Sequence, residues 1–266
     1  MASAPSKLYA DDVSLLMVLL DTNPLFWSSS SLTFSSFLSH VLSFLNSILL
    51  LNQLNQVVVI ATGYNYCDYV FDSSLATNQG SENGRMPALC ANLLLKLEEF
   101  AIKDENLHKD GSEKGLASSL LSGSLSMALC YIQKVFRSGA LHPQPRVPID
   151  SCYIGSNNSA FLQQASYITG GVYLKPQQPD GLFQYLSTVF ATDLHSRAFL
   201  QLPKSVGVDF RASCFCHKKT IDMGYICSVC LSIFCKHHKK CSTCGSVFGQ
   251  VQSDNGSASN LKRKTT

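Results

Sequence analysis

Two short cysteine pairs constrain this chain more than any other feature. Cys227-Ser228-Val229-Cys230 and Cys241-Ser242-Thr243-Cys244 each set two thiols two residues apart. That spacing lets two sulfurs reach one tetrahedral ion from a tight knuckle. Gly245 follows the second pair and can turn the chain. The two pairs are expected to share one zinc with four thiolate ligands. A site closed by four protein ligands leaves no position for water or substrate, so the ion is structural rather than catalytic.

Three more cysteines, Cys214, Cys216 and Cys235, fall in the same stretch, beside His217, His237 and His238. In a cross-brace arrangement the first ligand group shares an ion with the third, and the second with the fourth. Cys214, Cys216 and Cys235, with one histidine, are therefore a possible second metal set. The alternative is that they are small apolar residues packed against the first site. Disulfides fit poorly. The stretch holds seven cysteines, an odd number, and the first apolar run (13–20) follows Asp11 and Asp12 rather than a basic leader. The chain is expected to be intracellular, where thiols stay reduced and clustered cysteines bind metal. Lys218, Lys219, Lys236, Lys239 and Lys240 can offset the negative charge of thiolate sites. With a formal net charge of +3, nucleic acid is neither required nor excluded.

Upstream, apolar runs alternate with helical periods. Residues 13–21 form a continuous apolar run ending in an acid, as expected of a strand buried on both faces. Residues 34–51 repeat at helical spacing with Ser and Asn on the other face, which predicts an amphipathic helix rather than a bilayer span. Residues 56–63 read as a second buried strand and 65–73 as an edge strand. Helices are predicted over 88–105 and 116–139. A strand over 147–156, a helix over 158–171, a strand over 171–176 and a helix over 180–193 complete the pattern. The fold class is α/β: a mostly parallel sheet with helices on both faces, followed by a small zinc-binding module.

The expected organisation is a flexible start over 1–12, a sheet domain over 13–195, a connector over 196–210, a zinc module over 211–249 and a disordered tail over 250–266. Cys67, Cys90, Cys130 and Cys152 read as core. Asp68, Asp72, Asp150 and His195 make no acid–base pair, and no glycine-rich phosphate cradle follows the first strand. No enzyme activity is expected. Asp21 ends the first strand where open parallel sheets bind ligands. The run Asp21-Thr22-Asn23-Pro24-Leu25 departs from the Asp-x-Ser-x-Ser of metal-binding von Willebrand A domains, because Leu25 supplies no oxygen. Asp21 is expected to hydrogen-bond locally.

The stretches "LLMVLLDTNPLFW", "IDSCYIGS…FLQQASYITGGVYLKP" and "ASCFCHKKTIDMGYICSVCLSIFC" together resemble the 34-kDa subunits of general transcription factor TFIIH, over roughly residues 10–250. The resemblance implies a von Willebrand A-like domain plus a C4 zinc finger in a non-catalytic nuclear scaffold. Such a subunit acts in RNA polymerase II initiation and nucleotide excision repair. It implies partners among the other TFIIH core subunits, above all one with its own A domain and zinc-binding domains. DNA contact would be indirect, and no membrane is involved. One departure is large. A strand with its crossover helix, ~30 residues, is missing between Pro145-Arg146 and Val147-Pro148. The lost strand would lie beside the first one, at the centre of the sheet. The competing readings are a RING-like ubiquitin ligase or other zinc-module nuclear adaptor, a metal-dependent adhesion A domain, and a direct DNA binder.

Overall fold

The computed structural model describes residues 14–52, 54–76, 86–110, 119–138, 147–204, 207–208, 210–217 and 219–248. The expected flexible start, disordered tail and 145–146 side of the junction lie outside them. The chain divides into two compact units, 1–208 and 209–266.

In the first unit, β1 (Leu15–Asp21) runs parallel to β2 (Gln56–Thr62), with Leu15 opposite Gln56 and Asp21 opposite Thr62. β3 (Cys67–Asp72) adds antiparallel to the far side of β2, with a register shift at Val59/Ile60. The sheet order is β1-β2-β3. Val57, Val58, Val59, Ile60 and Ala61 of the central strand are wholly buried, as a continuous apolar strand must be.

Helices α1 (Pro24–Ser29) and α2 (Phe34–Leu51) connect β1 to β2. Thr33 caps α2 by accepting the Ser36 N–H at 3.3 Å. α2 is apolar and long enough to cross a membrane by length and composition. Here its Leu38, Val41, Phe44, Leu45 and Ile48 enter the core against β1 and β2. α3 (Ser73–Ala76) is a single turn. α4 (Met86–Asp110) buries Leu93, Leu97, Phe100 and Asp104, one stripe at helical spacing.

The last member of that stripe is a carboxylate, and its position is fixed by three donors. Asp104 accepts the backbone N–H groups of Tyr64 (3.2 Å), Asn65 (2.9 Å) and Tyr66 (3.2 Å). These belong to the turn that carries β2 into β3. Gly63 opens the turn because a Cβ there would sit 2.4 Å from Asp104 Oδ2. A buried anion satisfied by backbone donors in this way holds the end of α4 against the sheet.

α5 (Leu121–Arg137) packs on β1 and β2 through Ser124, Ala128 and Ile132. Cys130 lies on the opposite face and is exposed, so it is not a core residue as the sequence pattern suggested. Apolar neighbours in sequence misled there, since a helix turns Cys130 well away from Ala128.

The expected single sheet is not formed among the described residues. β4 is only Ser151–Cys152 and pairs, in parallel, with β5 (Tyr173–Leu174) alone. β1 pairs with β2 alone. Its Leu15, Leu16, Met17, Val18 and Leu19 stay half-buried although all are apolar. Cys152 and Ile154 still pack against the main core, and the rings of Phe26 and Tyr153 lie 6.0 Å apart. The small sheet is thus in the same body as β1 without being bonded to it. Residues 138–150 are too few to supply a further strand with its crossover.

α6 (Ala160–Thr169) follows β4, capped by the Ser159 side chain and ended by Gly170 at φ 75°. The predicted helix at 180–193 is broken into a 3-10 turn (Pro179–Gly181), α7 (Leu182–Tyr185) and a π turn (Leu186–Phe190). The Ser187 and Thr188 hydroxyls donate to the Gln184 carbonyl at 3.1 and 2.7 Å. Such bonds compete with the regular helical ladder. The result still buries Leu182, Leu186 and Val189.

In the second unit, β6 (Tyr225–Ile226) and β7 (Ile233–Phe234) form an antiparallel hairpin. Its buried centre is Cys227, Phe234 and Cys241, with Cys216, Cys230 and Phe248 packed around them.

Candidate metal centres

The two cysteine knuckles fold alike. After β6, the Leu231 N–H bonds the Cys227 carbonyl at 2.9 Å and the Cys227 N–H bonds Ser232 O at 2.9 Å. In the second knuckle, Gly245 N–H bonds Cys241 O at 3.0 Å and Cys241 N–H bonds Ser246 O at 2.7 Å. In both, the residue after the second cysteine takes a left-handed backbone: Leu231 at φ 59° and Gly245 at φ 76°. The turn points both thiols of each pair the same way.

Together they bring Cys227, Cys230, Cys241 and Cys244 within 4.8 Å of one another. Cys227 Sγ lies 3.7 Å from Cys244 Sγ, and Cys230 Sγ 3.6 Å from Cys241 Sγ. Four sulfurs about 2.3 Å from one ion would stand about 3.8 Å apart at tetrahedral angles. The set therefore fits zinc. Ser246 hydrogen-bonds Cys244 through its side chain and backbone, which brings that thiol down to about 6. Burial raises the Cys241 thiol, but backbone bonds at Cys244 and Thr243 lower it overall. A backbone bond at Cys230 lowers Cys227, yet burial and the facing thiols of Cys230 and Cys244 push it up overall. Crowded sulfurs resist ionising together, and a cation removes that conflict.

A second cluster forms beside the first. Cys214, Cys216 and His217 sit on a loop closed by Cys214 N–H to Lys219 O (2.9 Å) and Ile221 N–H to Ala212 O (2.8 Å). The Phe215 N–H bonds Ile233 O at 2.7 Å and so fastens this loop to β7. Cys235, next after β7, meets it. Cys216 Sγ and Cys235 Sγ are 3.5 Å apart, and His217 Nδ1 is 3.3 Å from Cys235 Sγ and 3.8 Å from Cys214 Sγ. Burial raises the Cys214 thiol, but bonds from the Lys219 and His217 backbone outweigh it and bring it to about 6.

Sequence spacing leaves the histidine of this cluster open among three. The fold brings in His217. His237 instead packs against Tyr225 and Phe248, and His238 against Phe234. The signal in the sequence was the unbroken run Cys-x-Cys-His at 214–217.

In the first unit, the end of β1 is closed by protein groups. Asp21 accepts the Asn23 N–H at 3.0 Å and the Ser119 hydroxyl at 2.7 and 2.8 Å on its two oxygens. Burial raises its pKa, which the Asn23 and Ser119 bonds only partly offset. Leu25 is exposed and supplies no ligand. Ser119 gave no signal in the sequence. Asp150 forms a two-pronged pair with Arg197 and accepts the Val172 N–H at 2.9 Å. Asp72 accepts the Tyr131 hydroxyl at 2.8 Å. Both are structural. Burial raises the Cys152 thiol to about 12.

Comparison with known proteins gives a consistent picture. The sequence model of the transcription factor Tfb4 family matches residues 13–147 and 143–245. The two segments overlap at 143–147, around the junction where the sequence leads one to expect a further strand and helix. The general transcription and DNA repair factor IIH subunit TFB4 of Arabidopsis thaliana is 67% identical, with 99% of each chain covered. That alignment runs over 297 positions and this chain has 266 residues, so at least 31 positions hold no residue here. General transcription factor IIH subunit 3 of Dictyostelium discoideum is 37% identical, covering 81% of this chain and 68% of that one. The tfb4 subunit of Schizosaccharomyces pombe is 34% identical over 90% of both. Among solved structures, the crystal structure of the TFIIH p34 N-terminal domain is similar at 24% identity and a TM-score of 0.49, covering 66% of this chain and 98% of that one.

Proposed function

The chain belongs to the transcription factor Tfb4 family, and from that premise we propose that it is a non-catalytic scaffold subunit of general transcription and DNA repair factor IIH. It acts in the nucleus, in transcription and DNA repair. The observation that carries this reading is the 67% identity to the Arabidopsis thaliana subunit across nearly the whole of both chains. In this reading it contributes surfaces rather than chemistry, and its carboxylates support it: Asp21, Asp72, Asp104 and Asp150 are each occupied by structural donors.

The sheet unit serves as a von Willebrand A-like domain. It docks a zinc-binding domain of a second subunit of the factor, itself an A-domain protein. Leu50, Leu51 and Leu54, exposed where α2 ends, supply apolar surface for such a contact. Cys227, Cys230, Cys241 and Cys244 hold a zinc ion that organises the C-terminal unit. The ion would supply cross-linking of the two knuckles, a stabilising role rather than a chemical one. DNA contact runs through the complex. A ubiquitin-ligase reading has no support among the relatives named above.

Affinity purification of the tagged chain from nuclear extract, followed by mass spectrometry, tests the assignment. Recovery of the other core subunits of the factor is expected. Their absence, in an extract where the tagged Arabidopsis thaliana relative recovers them, would overturn it.

A further inference from the structure

We propose that the C-terminal unit binds a second zinc ion, held by Sγ of Cys214, Cys216 and Cys235 and by Nδ1 of His217. The inference goes beyond the scaffold assignment and does not depend on it; it does presuppose that the four-cysteine set is a zinc site.

Four features of the unit carry it. The ligand atoms converge from two separate stretches of chain, and all lie within 4.8 Å of one another. The shortest separations are 3.3 Å from Nδ1 to the Cys235 sulfur and 3.5 Å between the Cys216 and Cys235 sulfurs. Those are the edges of a coordination tetrahedron of about 2.0 Å Zn–N and 2.3 Å Zn–S bonds. Next, the ligands interleave. In chain order the sets run Cys214-Cys216-His217, then Cys227-Cys230, then Cys235, then Cys241-Cys244. Each ion therefore ties together segments that the other ion does not, and the β6–β7 hairpin gives ligands to both. The third feature is the lack of any other adequate core among the described residues. The buried centre is Phe234 and two cysteines of the first site, while Met223, Ile226, Val229 and Leu231 are exposed. A unit this small holds its shape through metal or disulfide cross-links. Finally, Phe215 fastens the loop that carries Cys214, Cys216 and His217 to the hairpin, by its N–H to Ile233 O at 2.7 Å and its ring against Phe234, and the cluster lies at that point of attachment. Three thiolates and a neutral imidazole around one divalent ion leave a net charge of −1. Exposed Lys236 directly follows Cys235, and exposed Lys219 lies two residues after His217, so both can help to offset it.

Zinc content of the full-length protein, purified under reducing conditions, tests this by native mass spectrometry and metal analysis. Two zinc ions per chain are expected, one for each set. His217→Ala should give up one ion to a chelator concentration that leaves the wild type loaded, while His217→Cys, which restores a fourth ligand, should keep both. Cobalt(II) substitution gives an independent readout. His217→Cys should shift the d–d bands of one ion from the pattern of three sulfurs and one nitrogen to that of four sulfurs. One zinc per chain in the wild type, with Cys214, Cys216 and Cys235 alkylated under native conditions, overturns the second site and leaves the first standing. So does one zinc with the mass lowered by about two hydrogens, the mark of a Cys216–Cys235 disulfide. Unchanged retention of both ions by His217→Ala overturns His217 as a ligand. No zinc at all would sink both sites together.

Discussion

Leu231 and Gly245 occupy twin positions, one after each knuckle, and both have left-handed backbones. For leucine that conformation costs roughly 1–2 kcal/mol. The side chain is 70% exposed, so little burial offsets it. Leu231→Gly should therefore leave stability unchanged or raise it by up to about 1 kcal/mol, after allowing for the greater freedom of glycine in the unfolded chain. Gly245→Ala should lower it by about 1 kcal/mol, since only the Lys240 side chain lies near and the cost is conformational. Thermal unfolding of the zinc-loaded protein compares the two. Asp21 permits a second residue-level prediction. Its pKa is raised by burial, so the folded state disfavours the ionised form. Its contribution to stability is fullest below the ordinary carboxylate value of 3.8 and falls as pH rises through the raised one. Asp21→Asn keeps an acceptor for the Asn23 N–H and cannot ionise. The stability difference between variant and wild type should be flat below about pH 4 and shift toward the variant above it. A difference that shifts the other way would mean that the carboxylate charge is used in the folded protein.

At the scale of elements, the sequence was legible wherever one local rule decides the outcome. The apolar run of β2, the stripe of α2 and the Gly170 cap of α6 follow from period and turn chemistry. The knuckles follow from spacing alone. What stayed hidden depends on distant partners: Ser119 on Asp21, Asp104 on the turn at 64–66, and the choice of His217 over His237 and His238. No periodicity encodes such meetings. The further strand expected from the resemblance, and not found among the described residues, is an intermediate case. A short connection before β4 pointed to it, and among the described residues β4 pairs with β5 and β1 with β2 alone. An apolar strand with unpaired backbone groups along one side is costly. Inserting a strand with its crossover helix between Arg146 and Val147 should raise the midpoint of thermal unfolding by several degrees, roughly 4 °C or more for each ~2 kcal/mol in a domain of this size. Equal midpoints would mean that β1 needs no neighbour.

For the whole molecule, function lies in assembly. A mixed α/β unit and a cysteine-rich unit occur in one chain, and neither presents an arrangement of groups poised for catalysis among the described residues. Family membership supplies the function that the geometry does not. Co-expression with the remaining core subunits of factor IIH, followed by size-exclusion chromatography, is the most direct measurement. This chain is expected to elute with the complex in equal proportion to the other subunits. Elution apart from them, under conditions where the Arabidopsis thaliana relative is incorporated, would contradict it.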